Sequence, residues 1–323
     1  MTPSIGAARH TGVSERYLLL PDPPQAGLAA QAESPAYDCP AQRGRLAQAG
    51  GGRYDARSIG LEGRPRLPAA SRLPARPAGF FNPFFSFPMN RLPLLIVQMG
   101  SPPPELAAQA GEQADWFAAA LPGETLHVIR VHDDQPLPPA HTFRGAILSG
   151  SWQMVTDRLP WSERSARWLR ELLPTGKPVL GVCYGHQLMA HALGGVVDDH
   201  PDGPELGTQT IECLPGIEDD PLLRGLPPRF HAHLTHTQSV LQAPPGAQTL
   251  ARSVHDARQI LRYGPRAWSV QFHPEFTPGL LRRCIARRAP ALEATGRNVQ
   301  ALYDGLRETP ESASLLRRFA ALA

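Results

Sequence analysis

The amino-acid sequence predicts an α/β fold built on a doubly wound, mostly parallel sheet. Short and nearly continuous apolar runs occur at residues 94–100, 145–148 and 179–182, as is typical of strands that are buried on both faces. Stretches with a helical apolar period alternate with these runs along the chain. Alternating strands and helices form a parallel sheet that is covered by helices on both sides.

The elements follow in order from residue 94. The first strand precedes a predicted helix over residues 105–121, which is rich in alanine and begins after three prolines. Strands are predicted at 125–131, at 145–148 before Ser149-Gly150-Ser151, and at 179–182. Helices are predicted at 162–173 and 185–193. Further strands are predicted at 208–213, 249–253 and 268–271, and helices at 278–293 and 298–323.

Residues 1–88 differ in composition from the rest of the chain. They contain twelve prolines and ten arginines against six acidic residues, and no apolar period long enough to build an element. Such a composition cannot bury enough apolar surface to offset the entropy of ordering the chain. Two interpretations stay open: a disordered Pro/Arg-rich extension, or a misassigned start whose true first residue is Met89. In either case, residues 89–323 are expected to form the domain that carries the chemistry.

Composition excludes several classes of protein. Among the 323 residues, 42% are hydrophobic and no apolar run approaches the 18 residues of a membrane span. The four cysteines are too sparse for a disulfide framework, so a reduced, cytoplasmic protein is expected. The excess positive charge lies in the first 88 residues, which leaves the predicted domain without the basic surface that nucleic acid requires.

The stretch from Pro178 to Gln187 has the pattern of a nucleophile elbow. Cys183 lies between a buried strand and a predicted helix, with Gly181 two residues before it and Gly185 two residues after it. Small flanking residues allow the sharp turn that exposes a nucleophile above the sheet edge. The N-terminus of the following helix then favours a reactive thiolate. Cys183 is therefore the candidate nucleophile.

A thiolate nucleophile needs a base and a group that orients the base. His273 follows a strand-like alternation that starts at Trp268, and Glu275 lies two residues beyond it across a proline. A carboxylate in this position can hold the imidazole in the tautomer that accepts the thiol proton.

These motifs, Gly-x-Cys-x-Gly-x-Gln followed by His-Pro-Glu, resemble those of the class I (triad-type) glutamine amidotransferases. The similarity covers most of residues 94–290 and is greatest to stand-alone amidotransferase domains of the GMP-synthase-like group. The resemblance implies a flavodoxin-like sheet, with Cys183 as the nucleophile, His273 as the base and acid, and Glu275 as its orienting group.

The resemblance also implies an oxyanion hole and a substrate pocket. The backbone N–H groups of Ser151 and Tyr184 correspond to the oxyanion donors, although Ser151 and Trp152 replace a glycine and a proline of the family's Gly-Gly-Pro turn. Losing one such donor typically costs about 2.7–4 kcal/mol in the barrier. Gln187 corresponds to a residue that contacts bound glutamine. Thr237 and Gln238 lie in residues 234–240, which resemble the loop that holds the α-amino and carboxylate groups.

The expected reaction is hydrolysis of the γ-amide of glutamine, or of a related γ-glutamyl bond, through a γ-glutamyl thioester. Only 48 residues follow Glu275, fewer than the roughly 150 of a synthetase domain. Two alternatives therefore stay open beside an autonomous hydrolase: an ammonia-supplying subunit of a separate synthetase, and a non-catalytic binding or regulatory module. No cofactor is expected. No metal site is expected either, because His231, His233 and His236 have no carboxylate or cysteine near them in the sequence.

Overall fold

The computed structural model describes residues 92–323, which contain eleven strands and seven α-helices. The strands are β1 (Leu94–Gln98), β2 (Leu126–Arg130), β3 (Gly145–Leu148), β4 (Val179–Val182), β5 (Val196–Asp199), β6 (Glu205–Cys213), β7 (Arg229–His236), β8 (Gln238–Gln242), β9 (Gln248–Arg252), β10 (Ile260–Gly264) and β11 (Ala267–Val270). The helices are α1 (Pro104–Ala110), α2 (Gln113–Ala120), α3 (Pro160–Leu172), α4 (Tyr184–Ala192), α5 (Pro278–Ala294), α6 (Val299–Asp304) and α7 (Pro310–Leu322). The segment 1–88 and the alternative start at Met89 lie outside the described residues.

Nine strands form the main sheet, in the order β2-β1-β3-β4-β11-β10-β9-β6-β7. The strands from β2 to β11 in this order pair in parallel, which confirms the predicted doubly wound α/β class. The remaining pairs, from β11 through β10, β9 and β6 to β7, are antiparallel. Strands β5 and β8 form a separate two-stranded sheet.

Helices cover both faces of the parallel strands. All five residues of β1 are buried, and the side chains of its four apolar residues divide between two apolar clusters. Leu94 belongs to the cluster that contains Phe117 of α2, whereas Leu95 belongs to the cluster that contains Leu169 of α3. Successive residues of a strand point to opposite faces, so burial on both faces explains the continuous apolar run in the sequence.

Two of the predicted helices are each divided into two shorter helices. The stretch 105–121 forms α1 and α2, because the chain leaves the helix at Gly111, whose φ of 77° lies in the left-handed region. A new helix then starts after Glu112, whose backbone N–H donates to the Asp115 carboxylate at 2.8 Å. The stretch 298–323 likewise forms α6 and α7, with Pro310 at the start of α7.

The predicted loop over residues 234–240 is mostly strand. Residues up to His236 belong to β7 in the main sheet, and residues from Gln238 belong to β8 in the small sheet. Thr237 alone links them. The interpretation of this segment as a loop is therefore wrong, because its backbone groups pair in two different sheets.

Strands β3, β4 and β11 are neighbours and run in the same direction. Their carboxyl ends therefore meet at one edge of the sheet, which is where α/β proteins bind their ligands. The Ser149–Ser151 turn, Cys183 and the His273 segment follow these three ends directly.

Candidate active site

Cys183 lies in a sharp turn between β4 and α4. Its φ of 50° and ψ of −99° are unusual for a residue with a side chain, and such strain is typical of functional turns. The backbone N–H of Cys183 continues the parallel ladder by donating to the Val270 carbonyl at 2.9 Å. The Cys183 carbonyl already accepts from Gln187 N at 3.0 Å, as the first hydrogen bond of the helix. Cys183 therefore lies at the N-terminal end of α4, which carries the partial positive charge of the helix dipole.

The two glycines that flank Cys183 are required by close packing. A Cβ atom at Gly181 would lie 2.5 Å from the Gly185 carbonyl oxygen, and one at Gly185 would lie 2.6 Å from the Leu148 carbonyl oxygen. Both distances are shorter than any stable contact, so larger residues would push α4 away from the sheet. The turn predicted from the glycine spacing is therefore present.

His273 and Glu275 form a buried pair beside this turn. His273 Nδ1 lies 2.7 Å from Glu275 Oε1, while His273 Nε2 has no hydrogen-bond partner among residues 92–323. The His273 backbone N–H donates to the His233 carbonyl at 2.9 Å, which fixes the segment to β7. Burial lowers the pKa of His273, but the charges of Glu275 and Cys183 outweigh it and raise the pKa. The ring can therefore carry a proton opposite the sulfur.

Gly150 brings the nucleophile and the base together. A Cβ atom at Gly150 would lie 3.0 Å from His273 Cε1 and 3.7 Å from Cys183 Cβ. Gly150 therefore lies beside both side chains, and a larger residue at this position would crowd the His273 ring. Gly150 is not among the site residues predicted from the sequence, although the Ser-Gly-Ser spacing after β3 is a signal that could have found it.

The two expected oxyanion donors lie in neighbouring segments: Ser151 in the turn after β3, and Tyr184 at the start of α4. The Ser149 carbonyl accepts from Gly185 N at 3.1 Å, which fixes the turn that contains Ser151 to the start of α4. Tyr184 is the first residue of α4, where a backbone N–H has no acceptor within the helix. Its side chain points away into the core, where the hydroxyl lies 2.7 Å from Ser162 Oγ.

Gln187 is held firmly on the first turns of α4. Its side-chain Nε2 donates to the Gln238 carbonyl at 2.6 Å and to Gln271 Oε1 at 3.1 Å. Both amide protons are therefore used, and Oε1 has no protein donor among the described residues. Gln238 thus meets α4 through its backbone, whereas its side chain donates to Thr156 Oγ1 at 2.7 Å. The Thr237 carbonyl accepts from His200 N at 3.1 Å.

The three histidines of β7 have separate environments. His236 lies 3.0 Å from the carboxylate of Glu205, a residue 31 positions earlier that the neighbouring strand β6 brings to it. His233 Nδ1 lies 3.2 Å from Thr208 Oγ1, and burial lowers its pKa to about 4. Across residues 92–323, no three His, Cys, Asp or Glu side chains are arranged to hold a metal ion. The same part of the chain has no helix that is both long and apolar enough to span a bilayer.

Comparison with known proteins gives one consistent result. The sequence model described as Glutamine amidotransferase class-I matches residues 122–288. The glutamine-hydrolyzing GMP synthase of Aeropyrum pernix is 35% identical over 183 residues, which are 56% of this chain and 32% of that protein. A separate subunit of the glutamine-hydrolyzing GMP synthase of Saccharolobus solfataricus is 31% identical over 154 residues, which are 47% of this chain and 77% of that subunit.

Solved structures share the fold. The glutamine amidotransferase of Thermotoga maritima has a TM-score of 0.58 at 20% identity, covering 72% of this chain and 98% of that one. The glutamine amidotransferase of Methylobacillus flagellatus has a TM-score of 0.56 at 23% identity, covering 71% and 91%. This chain spans about a third of the length of the Aeropyrum pernix relative.

Proposed function

Because the chain belongs to the class I glutamine amidotransferase family, we propose that it hydrolyses the γ-amide of glutamine or a related γ-glutamyl bond. Cys183 acts as the nucleophile, His273 as the base and acid, and Glu275 as the group that orients His273. The observation that carries this proposal is the packing of Cys183 and His273 against Gly150, together with the 2.7 Å contact between His273 and Glu275.

The first half of the reaction forms a thioester. The Cys183 thiolate attacks the amide carbon of the substrate, and the electron pair of the carbonyl moves to oxygen. The backbone N–H groups of Ser151 and Tyr184 stabilise this oxyanion. Collapse of the tetrahedral species breaks the carbon–nitrogen bond, while protonated His273 gives its Nε2 proton to the departing amine.

The second half regenerates the enzyme. Neutral His273 removes a proton from water, the resulting hydroxide attacks the thioester carbon, and the Cys183 thiolate leaves with the electron pair of the carbon–sulfur bond. Glutamate is the acyl product. Gln187 binds the substrate through Oε1, since its Nε2 is already engaged by Gln238 and Gln271. Thr237 and Gln238 border the same pocket in this proposal.

Supply of ammonia to a synthetase partner is the second candidate. The similarity to the Saccharolobus solfataricus subunit supports it, because this chain aligns with 77% of that protein. In this form of the proposal, glutamine is the substrate and hydrolysis depends on the partner. A cytoplasmic location is part of both forms, since Cys183, Cys213 and Cys284 are all unpaired.

The test is hydrolysis by the full chain of L-glutamine and a panel of γ-glutamyl peptides and amines, scored for ammonia and glutamate. Cys183→Ala should lower turnover by at least about 10³-fold. Cys213→Ala is the matched control and should leave turnover unchanged, because Cys213 ends β6, away from the three strand ends that form the site. Turnover that persists in Cys183→Ala would refute the assignment of the nucleophile.

If no substrate is hydrolysed, the next test is covalent trapping of the nucleophile. An electrophilic glutamine analogue should add to Cys183 and to no other cysteine, as detected by peptide mass spectrometry. Trapping without turnover would support the partner-dependent form of the proposal. Absence of both would support a non-catalytic module.

A further inference from the structure

The His273 ring is stacked on a neighbouring aromatic ring. The ring centroids of His273 and Phe276 are 4.1 Å apart, and the ring planes are inclined by only 25°. Phe276 is 5% exposed, so water does not compete for this face. The single hydrogen bond to Glu275 fixes the position of Nδ1 but leaves the imidazole free to tilt about that bond. The stack on Phe276 restricts this tilt.

Phe276 itself packs against one indole, which packs against a second. Trp116 packs edge-on against Phe276 with centroids 5.5 Å apart, and Trp152 packs edge-on against Trp116 at 6.1 Å. Such edge-to-face pairs contribute about 0.5–1.5 kcal/mol beyond the burial of their surfaces. Trp116 is fixed in turn, because its Nε1 donates to the Ala110 carbonyl at 2.6 Å.

The four rings connect the two halves of the site. Trp152 directly follows Ser151 in the turn after β3, and Phe276 directly follows Glu275 in the segment after β11. Trp116 lies on α2 and joins them. The tryptophan at position 152 therefore has a structural partner in this chain, namely Trp116.

The stack also bears on the charge of His273. The face of an aromatic ring is negative, so it attracts a cationic group that lies over it. The other charged or titratable groups around His273 are Cys183 at the start of α4, Glu275 in its own segment and His233 on β7. Cys284 on α5 faces Glu275. Cys183 and Glu275 stabilise the imidazolium as anions, and Phe276 adds to their effect as an uncharged group.

We propose that Phe276, supported by Trp116, is a positioning residue that aligns the His273 ring with Cys183 and stabilises the protonated ring. The role of His273 as the base rests on the proposed function. The stack itself does not, because it acts on the pair of Cys183 and His273 before any substrate binds. A measurement of the reactivity of the Cys183 thiolate therefore tests the role of Phe276 without any substrate.

The experiment measures the rate at which iodoacetamide alkylates Cys183 in the full chain as a function of pH, with the modified peptide quantified by mass spectrometry. Phe276→Leu keeps the apolar volume but removes the ring. Its alkylation profile should shift to higher pH by about 0.5 pH unit, because an imidazolium that is less stable supports less thiolate. Phe276→Tyr keeps the ring and should restore the original midpoint.

Phe143→Leu is the matched control, because Phe143 is a fully buried phenylalanine in a different apolar cluster from that of Phe276. It should leave the alkylation midpoint unchanged. If Phe276→Leu fails to fold, Trp116→Leu against Trp116→Phe provides the same comparison one ring further out. An unchanged midpoint in a folded ring-deleted variant would overturn the proposal, as would a loss of rate that is uniform across pH.

The result is independent of the substrate assays. A shifted midpoint in a chain that hydrolyses no γ-glutamyl compound would support the role of Phe276 and refute an autonomous hydrolase, while the trapping test would decide on the partner-dependent form. An unshifted midpoint in an active hydrolase would refute the role of Phe276 alone.

Discussion

Replacing Gly150 by alanine adds one methyl group between the nucleophile and the base. The new Cβ would lie 3.0 Å from His273 Cε1 and 3.7 Å from Cys183 Cβ. The first distance is too short for a stable contact, whereas the second is ordinary. The His273 ring must therefore move, and the Cys183 side chain need not.

The size of the movement follows from the geometry. Ordinary contact begins at about 3.4 Å, so the ring must shift by about 0.4 Å relative to the turn that contains Gly150. A displacement of about 1 Å can cost about 10²-fold in rate, so a shift of this smaller size should cost less. We therefore expect kcat/KM to fall by about 10-fold. Overpacking should also lower the free energy of unfolding by about 1–3 kcal/mol, a loss that still allows the variant to fold.

The assay compares Gly150→Ala with Gly264→Ala at the end of β10, where a Cβ atom would meet nothing within 4 Å. Both variants make the same chemical change, so the control isolates the contact with His273. Turnover of the substrate found for the native chain and urea unfolding should be measured for each. A Gly150→Ala variant with native kcat/KM would refute the reasoning, as would an equal loss in Gly264→Ala.

Three further substitutions address buried charges. Burial lowers the pKa of His273, but Glu275 and Cys183 together outweigh it, so Glu275→Gln should lower the pKa of His273 and move the alkaline limb of kcat/KM to lower pH; an unmoved limb contradicts this. Glu205→Ala leaves the buried side chains of His236 and Gln259 without their hydrogen-bond acceptor and should lower the free energy of unfolding by about 1–3 kcal/mol in urea, whereas native stability would contradict it. Burial lowers the pKa of His186 from 6.5 to about 4, so the unfolded chain binds more protons in this window and stability should fall as pH falls through it. His186→Gln should reduce that slope, and an identical slope would refute the assignment.

The parallel half of the fold is predictable because its strands are buried on both faces. Strands β1, β3 and β4 consist almost entirely of apolar residues and glycine, and helices precede or follow them. Because both faces of these strands are buried, their sequences lack alternating polar residues and form short continuous apolar runs. The helix ends were less predictable, since the alanine-rich pattern of 105–121 continues across the break at Gly111.

The antiparallel half is predicted only in part. Strands β6 and β9 form where the sequence predicts strands at 208–213 and 249–253, whereas β5, β7, β8 and β10 are not predicted, for two different reasons. In β7, Phe230, Ala232 and Leu234 alternate with polar residues, which is the period of a strand, but the family resemblance assigns the end of this segment to a loop. In β5, the sequence Val-Val-Asp-Asp has no such alternation and is mostly exposed. It forms a strand because β8 supplies the hydrogen bonds, a contact that no local pattern reveals.

The proposed triad was predictable because each member lies within a local motif. Cys183 and His273 each follow the carboxyl end of a strand, where the backbone must turn. The glycines around Cys183 and the proline after His273 mark these turns in the sequence. Phe276 and Glu205 carry no such signal, and the role of Gly150 likewise depends on contacts with residues that the strand order brings to it. Once β3, β4 and β11 are adjacent and parallel, the turn after β3 lies beside both Cys183 and His273, and a methyl group at position 150 would crowd the His273 ring. The identity of residue 150 is therefore set by the sheet topology rather than by its neighbours in sequence.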